Sequence, residues 1–140
     1  MPTSTATASW DGTIKGRGSM KPDHGGEIAF SAGSRFEGQP GSNPEEVVGA
    51  ALAGCFSMAL SLGLEKAGFT PISIRSSARV HLEKVEGGFG IPRIELTTEA
   101  KASGGDEAKF RAVADETKKG CPISKLLTGA QITLDAKLVR

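Results

Sequence analysis

The longest apolar stretch of the chain runs from Val47 to Leu64, where 18 consecutive positions carry no charged side chain. The preceding Asn43-Pro44-Glu45-Glu46 has the features of a helix start: asparagine as the N-cap, proline in the first turn and Glu46 at the capping-box position. Ala67-Gly68 is typical of a helix end. We therefore expect one long helix ending near Lys66, apolar on nearly every side and hence buried all round.

This stretch reaches the lower length limit of a membrane span. It also contains three glycines and two serines, and amphipathic segments follow it. We therefore favour a buried core helix over a membrane span. The first ten residues have neither a basic head nor an apolar run, so no signal peptide is expected, and the expected compartment is the cytoplasm.

Alternation of apolar and polar residues predicts strands in the rest of the chain. Residues 3–10 and 13–20 indicate a hairpin around Asp11-Gly12, a two-residue turn signal, and Glu27 to Phe30 indicates a third strand. The segment from Ala32 to Ser42 is rich in Gly, Ser and Pro and is interpreted as an irregular loop. Two long strands are expected from Pro71 to Val85 and from Phe89 to Lys101, with a bulge or edge at Pro92.

The C-terminal third predicts two helices and one strand. Asp106 is expected to cap an amphipathic helix that ends at Gly120, and a short helix should follow from Pro122 to Thr128. The last strand is expected from Gln131 to Val139. We predict the α+β class, with antiparallel sheets wrapped around a long central apolar helix in a single domain over residues 1–140.

Composition and motifs exclude several function classes. The 17 basic and 16 acidic residues give a net charge of +1, so there is no basic footprint for nucleic acid. No Gly-x-Gly-x-x-Gly or P-loop motif is present. His24 and His81 are interpreted as solvated residues, because neither has metal-ligand or catalytic-triad spacing. We expect no metal and no cofactor.

Two cysteines remain as candidates for chemistry. Cys121 precedes Pro122 at a helix start and follows two lysines, and both features favour a thiolate. Cys55 lies about three turns into the apolar helix, where its surroundings should raise the pKa of the thiol. A reactive Cys55 therefore needs a cation brought from elsewhere. The alternative is that both cysteines are small buried hydrophobes.

Arg35 is the best candidate for that cation, because its loop could fold over the helix. A buried arginine would itself need a carboxylate, and Glu45 is the candidate, since Glu46 is already explained by capping. Four apolar side chains could line a substrate pocket or could simply belong to the core. They are Phe36, Phe56, Met58 and Phe69.

Several linked motifs resemble the osmotically inducible protein C (OsmC/Ohr) family, most closely its OsmC branch. They are RFEG from Arg35, GSNPEE ending at Glu46, CFSMALS from Cys55, AGFTP ending at Pro71 and GCPIS around Cys121. The resemblance implies an intertwined homodimer that reduces organic hydroperoxides. By position it makes Cys55 the peroxidatic thiol, Cys121 the resolving thiol and Arg35 with Glu45 the activating pair.

The same resemblance implies regeneration by a dithiol donor of the lipoyl type. Gly54 and Leu52 depart from the residues usual in the family, and this bears on pocket shape and substrate preference. Two other function classes stay open on the residues alone: a non-enzymatic dimer with core cysteines, and a redox sensor that turns over slowly.

Helix geometry adds a constraint on the activating pair. Glu45 precedes Cys55 by ten residues, which is about 15 Å along a straight helix and about 80° around it. Glu45 therefore cannot reach the thiol of its own chain unless the helix is broken. We expect an active site shared across the dimer, with the partner subunit supplying Glu45 and Arg35. Small residues would allow the two helices to approach closely; they are Gly49, Ala50, Ala53 and Gly54.

Overall fold

The computed structural model describes all residues from Met1 to Arg140. The chain forms two compact units, residues 1–46 and residues 47–140. The expectation of a single domain therefore stays a prediction. The first unit holds a three-stranded antiparallel sheet and a short helix. The sheet comprises β1 (Ala6–Asp11), β2 (Arg17–Pro22) and β3 (Ile28–Phe30), and the helix is α1 (Ala32–Phe36).

The long helix α2 (Pro44–Lys66) begins in the last three residues of the first unit and continues through the second. The second unit also contains a second three-stranded sheet. Its elements in chain order are β4 (Thr70–Val85), β5 (Gly88–Ser103), α3 (Glu107–Gly120), α4 (Pro122–Leu126) and β6 (Gln131–Val139). The sheet order is β4-β5-β6. The predicted α+β class with sheets and one long apolar helix is confirmed.

One sheet is not purely antiparallel, which corrects the expectation from the sequence. β4 and β5 form the expected antiparallel hairpin, but β6 pairs with β5 in parallel, Arg93 opposite Gln131 and Lys101 opposite Val139. The physical reason is the connection: α3 and α4 lie between β5 and β6, and a crossover of this length lets a strand return in parallel. The register shift between His81 and Glu83 lies opposite Pro92, as predicted for a bulge.

The N-terminal hairpin also differs from its prediction. The pairing of Asp11 with Arg17 leaves a five-residue connection instead of a two-residue turn at Asp11-Gly12. Gly12 adopts a positive φ of 94°, and the Gly16 amide donates to the Thr13 carbonyl at 2.9 Å to close the turn. The indole Nε1 of Trp10 donates to the same carbonyl at 2.9 Å, which stabilises the longer loop.

Arg35 does not lie in an irregular loop, as the sequence suggested. It belongs to the single turn and a half of α1, whose N-cap Ser31 and third residue Ser34 form a reciprocal capping box. A Ser-x-x-Ser pair is a weak capping signal within a Gly- and Ser-rich stretch. The helix was therefore not predicted from the sequence.

Helix α2 begins and ends as predicted. The Asn43 side chain accepts the Glu46 amide at 2.8 Å, and at the other end Gly68, with φ of 95°, lets the Phe69 amide reach the Leu64 carbonyl at 2.9 Å. The Glu46 carboxylate does not complete a capping box. It accepts a hydrogen bond from the Ser42 hydroxyl at 2.6 Å instead.

One face of α2 is buried in the core of the second unit. Residues spaced by four positions have no exposed surface; they are Leu52, Phe56, Leu60 and Leu64. They belong to a cluster with Ile94, Leu96, Ala100, Phe110 and Ala114. Gly49 also faces the sheet, since a Cβ there would lie 3.2 Å from the Val80 Cγ2, so it is not available for helix–helix approach as expected.

The opposite face of α2 is uncovered in this chain, so the helix is not buried all round. Met58 is 76% exposed and Leu62 is 52% exposed, and no atom lies within 4 Å of a Cβ built on Gly54. By length and composition alone α2 could cross a membrane, yet a core helix passes the same criterion, and only 28% of its most apolar window is buried. An apolar face of this kind marks an interaction surface.

Candidate active site

Cys55 lies in the middle of α2, one residue before the buried Phe56. Its side chain is half-buried, at the margin of the core cluster. This position follows from the helical period. Residues 52, 56, 60 and 64 form the buried stripe of the helix, and Cys55, one position before Phe56, lies at the edge of that stripe. Cys55 forms no disulfide.

Cys121 lies at the junction of α3 and α4, where it is the C-cap of α3 and the N-cap of α4. It is 2% exposed. Its Sγ accepts the Ser124 amide at 3.4 Å and lies 3.0 Å from the Ser124 hydroxyl. Pro122 occupies the first position of α4, as the sequence indicated, and directs the chain so that Cys121 points into the core.

The structure brings the two thiols together. Burial raises the pKa of the Cys55 thiol above its ordinary value, the hydrogen bond from the Ile123 backbone amide lowers that pKa, and a hydrogen bond with the Cys121 side chain raises it again. The net direction is upward, so this chain by itself disfavours the Cys55 thiolate. Cys121 therefore lies close enough to Cys55 to affect the pKa of its thiol, and both cysteines are free thiols.

Arg35 and Glu45 are also brought together, within the first unit. The Arg35 Nε donates to the Glu45 Oε1 at 2.7 Å. The Glu45 side chain is 9% exposed and that of Arg35 is 34% exposed. Because one partner is almost fully buried, this charge-assisted bond fixes the guanidinium far better than a surface pair would.

The amino-acid sequence matches the family model described as OsmC-like protein over residues 36–137. It is also 47% identical, over 134 residues, to a protein named peroxiredoxin OsmC from Escherichia coli (strain K12). That alignment covers 94% of this chain and 93% of the relative. The chain belongs to the OsmC family.

Solved structures agree with this assignment. The crystal structure of the organic hydroperoxide resistance protein OhrB of Bacillus subtilis superposes with a TM-score of 0.70 at 26% identity, covering 95% of this chain and 98% of that one. The OsmC-like protein from Mycoplasma pneumoniae has a TM-score of 0.79, covers 99% of both chains and is 17% identical, which shows a shared fold. The resemblance inferred from the motifs is confirmed.

The OsmC-family chain holds further site residues that sequence reasoning missed. Ile123 and Ser124 contact the two thiols, through a backbone amide to Cys55 and through the side chain and amide to Cys121. The signal was present in GCPIS, because an N-cap sulfur is expected to accept an amide two or three residues later. Only the packing of α4 against α2 shows that Cys55 shares this helix start.

The remaining candidates have structural roles. His81 is not simply solvated: its Nε2 lies 2.5 Å from the Glu95 Oε1, and this bond is the main cause that lowers the pKa of Glu95. Phe56 and Phe69 are buried core residues, which favours the core role over the pocket role. Met58 is exposed on α2, and Phe36 lines a cavity in the first unit.

Proposed function

We propose that this OsmC-family chain is a thiol-dependent peroxidase that reduces hydroperoxides to alcohols. The observation that carries the proposal is the contact between Cys55 and Cys121, two thiols 66 positions apart in the sequence that share one helix start. A protein with only structural cysteines has no need for this proximity. The names of its relatives, peroxiredoxin OsmC and organic hydroperoxide resistance protein, support the same activity.

The reaction begins at Cys55. Its thiolate attacks one oxygen of the hydroperoxide, the O–O bond breaks, and the departing alkoxide takes a proton to become the alcohol. Cys55 is left as a sulfenic acid. The Cys121 thiol then attacks that sulfur, releases water and forms a Cys55–Cys121 disulfide before further oxidation occurs. An external dithiol, for which a lipoyl group is the proposed form, reduces the disulfide and becomes a cyclic disulfide itself.

Activation of Cys55 requires a cation, because burial and Cys121 both raise the pKa of its thiol. Arg35 is the proposed source, with Glu45 holding its guanidinium. Helix α2 is continuous over Pro44–Lys66, which separates Glu45 from Cys55 of the same chain by about 15 Å along the helix axis. The partner subunit therefore supplies the pair, and its guanidinium also stabilises the developing alkoxide.

The homodimer forms, in this proposal, through the uncovered face of α2. Ala51, Gly54, Met58 and Leu62 lie along that face, and all four are exposed in the single chain. A second copy of the same helix would bury them, with Gly54 allowing close approach of the backbones. This makes α2 the core of a soluble assembly, for which we propose the cytoplasm as the compartment.

Peroxide consumption by three proteins tests the function: the unmodified chain, Cys55→Ser and Cys121→Ser, each with a dithiol in excess. The unmodified chain should turn over continuously and Cys55→Ser should not exceed the buffer rate. Cys121→Ser should start and then lose activity as its sulfenic acid over-oxidises. Equal rates in all three proteins would leave only a structural role for the cysteines, and slow turnover with full disulfide formation would indicate a sensor.

A further inference from the structure

Three lysines, Lys118, Lys119 and Lys125, line one pocket of the second unit, the lysine pocket, which measures about 340 Å³. Lys118 and Lys119 lie in the last turn of α3, and Lys125 lies in α4. No carboxylate lines the pocket, and none of the three ammonium groups forms an ion pair within the chain. The apolar part of the lining consists of Leu127, Ala130 and Ile132.

The positive charge of the lysine pocket is a local excess, because the whole chain carries a net charge of only +1. Two other pockets of the second unit are balanced. The one on the β4-β5-β6 sheet is lined by two basic and two acidic residues, and the groove between α2 and α3 is lined by one of each. The α3 dipole accounts for Lys118 and Lys119 at its C-terminal end, but not for Lys125 or for the missing carboxylates. The lysine pocket is therefore complementary to a negatively charged partner.

The lysine pocket borders the cysteine pair. Ser124 lines the pocket, and its hydroxyl oxygen lies 3.0 Å from the Cys121 Sγ. The preceding residue, Ile123, donates its backbone amide to the Cys55 thiol. Both sulfurs are thus held at the start of α4, directly before Lys125. A molecule that reacts with the pair from this side meets the lysines first.

Reduction of the Cys55–Cys121 disulfide is the step that brings such a molecule. Cys121 is 2% exposed and Cys55 is half-buried, so a donor thiolate attacks the Cys55 sulfur, and the Cys121 sulfur leaves and takes a proton. The second donor thiol then attacks the donor sulfur of the mixed disulfide, frees the Cys55 thiol and closes the disulfide of the donor. The donor must therefore keep its dithiol at the start of α4 through two successive exchanges.

We propose that the lysine pocket docks an acidic protein that carries the dithiol reductant, with carboxylates of that protein on the three lysines. Apolar lining residues and the neighbouring Leu126, which is 73% exposed, give the surface an apolar part beside its charged part, as protein–protein interfaces have. Nucleic acid is a poor match, because three lysines on a chain of net charge +1 form no extended basic face. The inference rests on the proposed function and names the kind of partner that serves its last step.

Reduction by charge-varied dithiol peptides tests the docking surface. Three synthetic peptides share one Cys-Gly-Pro-Cys segment and differ only in the flanking residues, which are all Glu, all Gln or all Lys. The protein is oxidised with a hydroperoxide to the Cys55–Cys121 disulfide, mixed with each peptide, quenched with acid and analysed by mass spectrometry. At ~20 mM salt the Glu peptide should react at least roughly tenfold faster than the Gln peptide, and the Lys peptide should be slowest. At ~500 mM salt the difference should largely disappear.

A triple variant with Lys118, Lys119 and Lys125 changed to Gln should reduce the preference for the Glu peptide to near unity. The ratio of the two peptide rates is compared, so that any effect of the lysines on the sulfurs themselves cancels. The matched control changes three exposed lysines outside the pocket to Gln and should keep the preference; they are Lys21, Lys84 and Lys101.

Three results would overturn the docking surface: equal rates for the three peptides, a preference that survives in the pocket variant, or an equal loss in the control variant. Binding to phosphatidylglycerol vesicles that only the pocket variant loses, without preference among the peptides, would assign the lysines to a membrane surface instead. Neutral dithiothreitol separates this outcome from the proposed function. Reduction by dithiothreitol without any charge preference overturns the docking surface alone, whereas failure of hydroperoxide to form the disulfide overturns the proposed function.

Discussion

At the scale of single residues, Cys55 is subject to opposing influences within its own chain. Burial and the Cys121 side chain raise the pKa of its thiol, and the Ile123 amide lowers it less. Even an unperturbed thiol is only a few per cent ionised at pH 7. Activation of Cys55 therefore still needs a cation, and Arg35, paired with the buried Glu45, is the one we propose.

Removing Arg35 should expose that dependence. The thiolate is the species that reacts with iodoacetamide, so a higher pKa moves the rise of the alkylation rate to higher pH. In Arg35→Ala we expect Cys55 alkylation at pH 7 to fall at least roughly tenfold, with its pH midpoint above that of the unmodified protein. Peptide mass spectrometry after timed alkylation measures the rate for Cys55 alone.

Arg75→Ala serves as the control, because Arg75 is an exposed arginine on β4 in the second unit. It should leave the midpoint unchanged. An Arg35→Ala protein with the alkylation profile of the unmodified chain would contradict the role given to the guanidinium.

The sequence indicated the candidate residues of the site more readily than it indicated their surroundings. Cys55, Cys121, Arg35 and Glu45 are visible from residue type and motif, and the Arg35–Glu45 bond follows the demand of a buried charge for a partner. The contacts of Ile123 and Ser124 with the thiols depend on how α4 packs against α2. The packing of the Trp10 and Phe30 rings over Gly18 depends on three strands, β1, β2 and β3, lying side by side. No local pattern in the sequence predicts contacts of this kind.

At the scale of elements, α2 illustrates how far capping rules reach. Asn43, Pro44 and Gly68 predicted both of its ends, because each acts locally: Asn43 through its side-chain oxygen, and Pro44 and Gly68 through backbone geometry. The short helix α1 and the parallel pairing of β6 were not predicted. A turn and a half of helix has little periodicity to detect, and strand direction depends on the route of the connecting helices.

The N-cap of α2 gives a quantitative prediction at this scale. Asn43→Ala leaves the Glu46 amide without its acceptor and should lower the free energy of unfolding by about 1 kcal/mol. Ser42→Ala removes an exposed bond between two side chains and should cost less. Urea unfolding at one protein concentration compares them, and a larger loss in Ser42→Ala would contradict the capping role of Asn43.

At the scale of the whole molecule, the uncovered face of α2 is the main departure from a self-sufficient fold. The sequence predicted a helix buried all round, whereas this chain buries only one face of it. The prediction is wrong for a single chain, because the apolar character of a helix does not indicate whether its own chain or another molecule buries each face. In the proposed homodimer, a second copy would cover this face and would supply the cation that Cys55 needs.

Subunit exchange tests that assembly. Cys55→Ser and Glu45→Ala subunits, each of which we expect to be inactive alone, are mixed under conditions that exchange chains, and dithiol-dependent peroxide loss is measured. With sites shared across the dimer, a mixed dimer regains one working centre out of two. Exchange is verified by native mass spectrometry with one subunit tagged. Verified exchange without recovered activity would contradict a partner-supplied Glu45.

The most direct measurement is the intact mass of the protein after one equivalent of a hydroperoxide, without any reductant. The unmodified chain should lose two hydrogen atoms, and peptide mapping should locate the new disulfide at Cys55 and Cys121. Cys121→Ser should instead gain one oxygen atom on Cys55, and Cys55→Ser should keep its mass. A gain of oxygen at Cys121 with Cys55 unchanged, or no change in the unmodified chain, would contradict the redox pair.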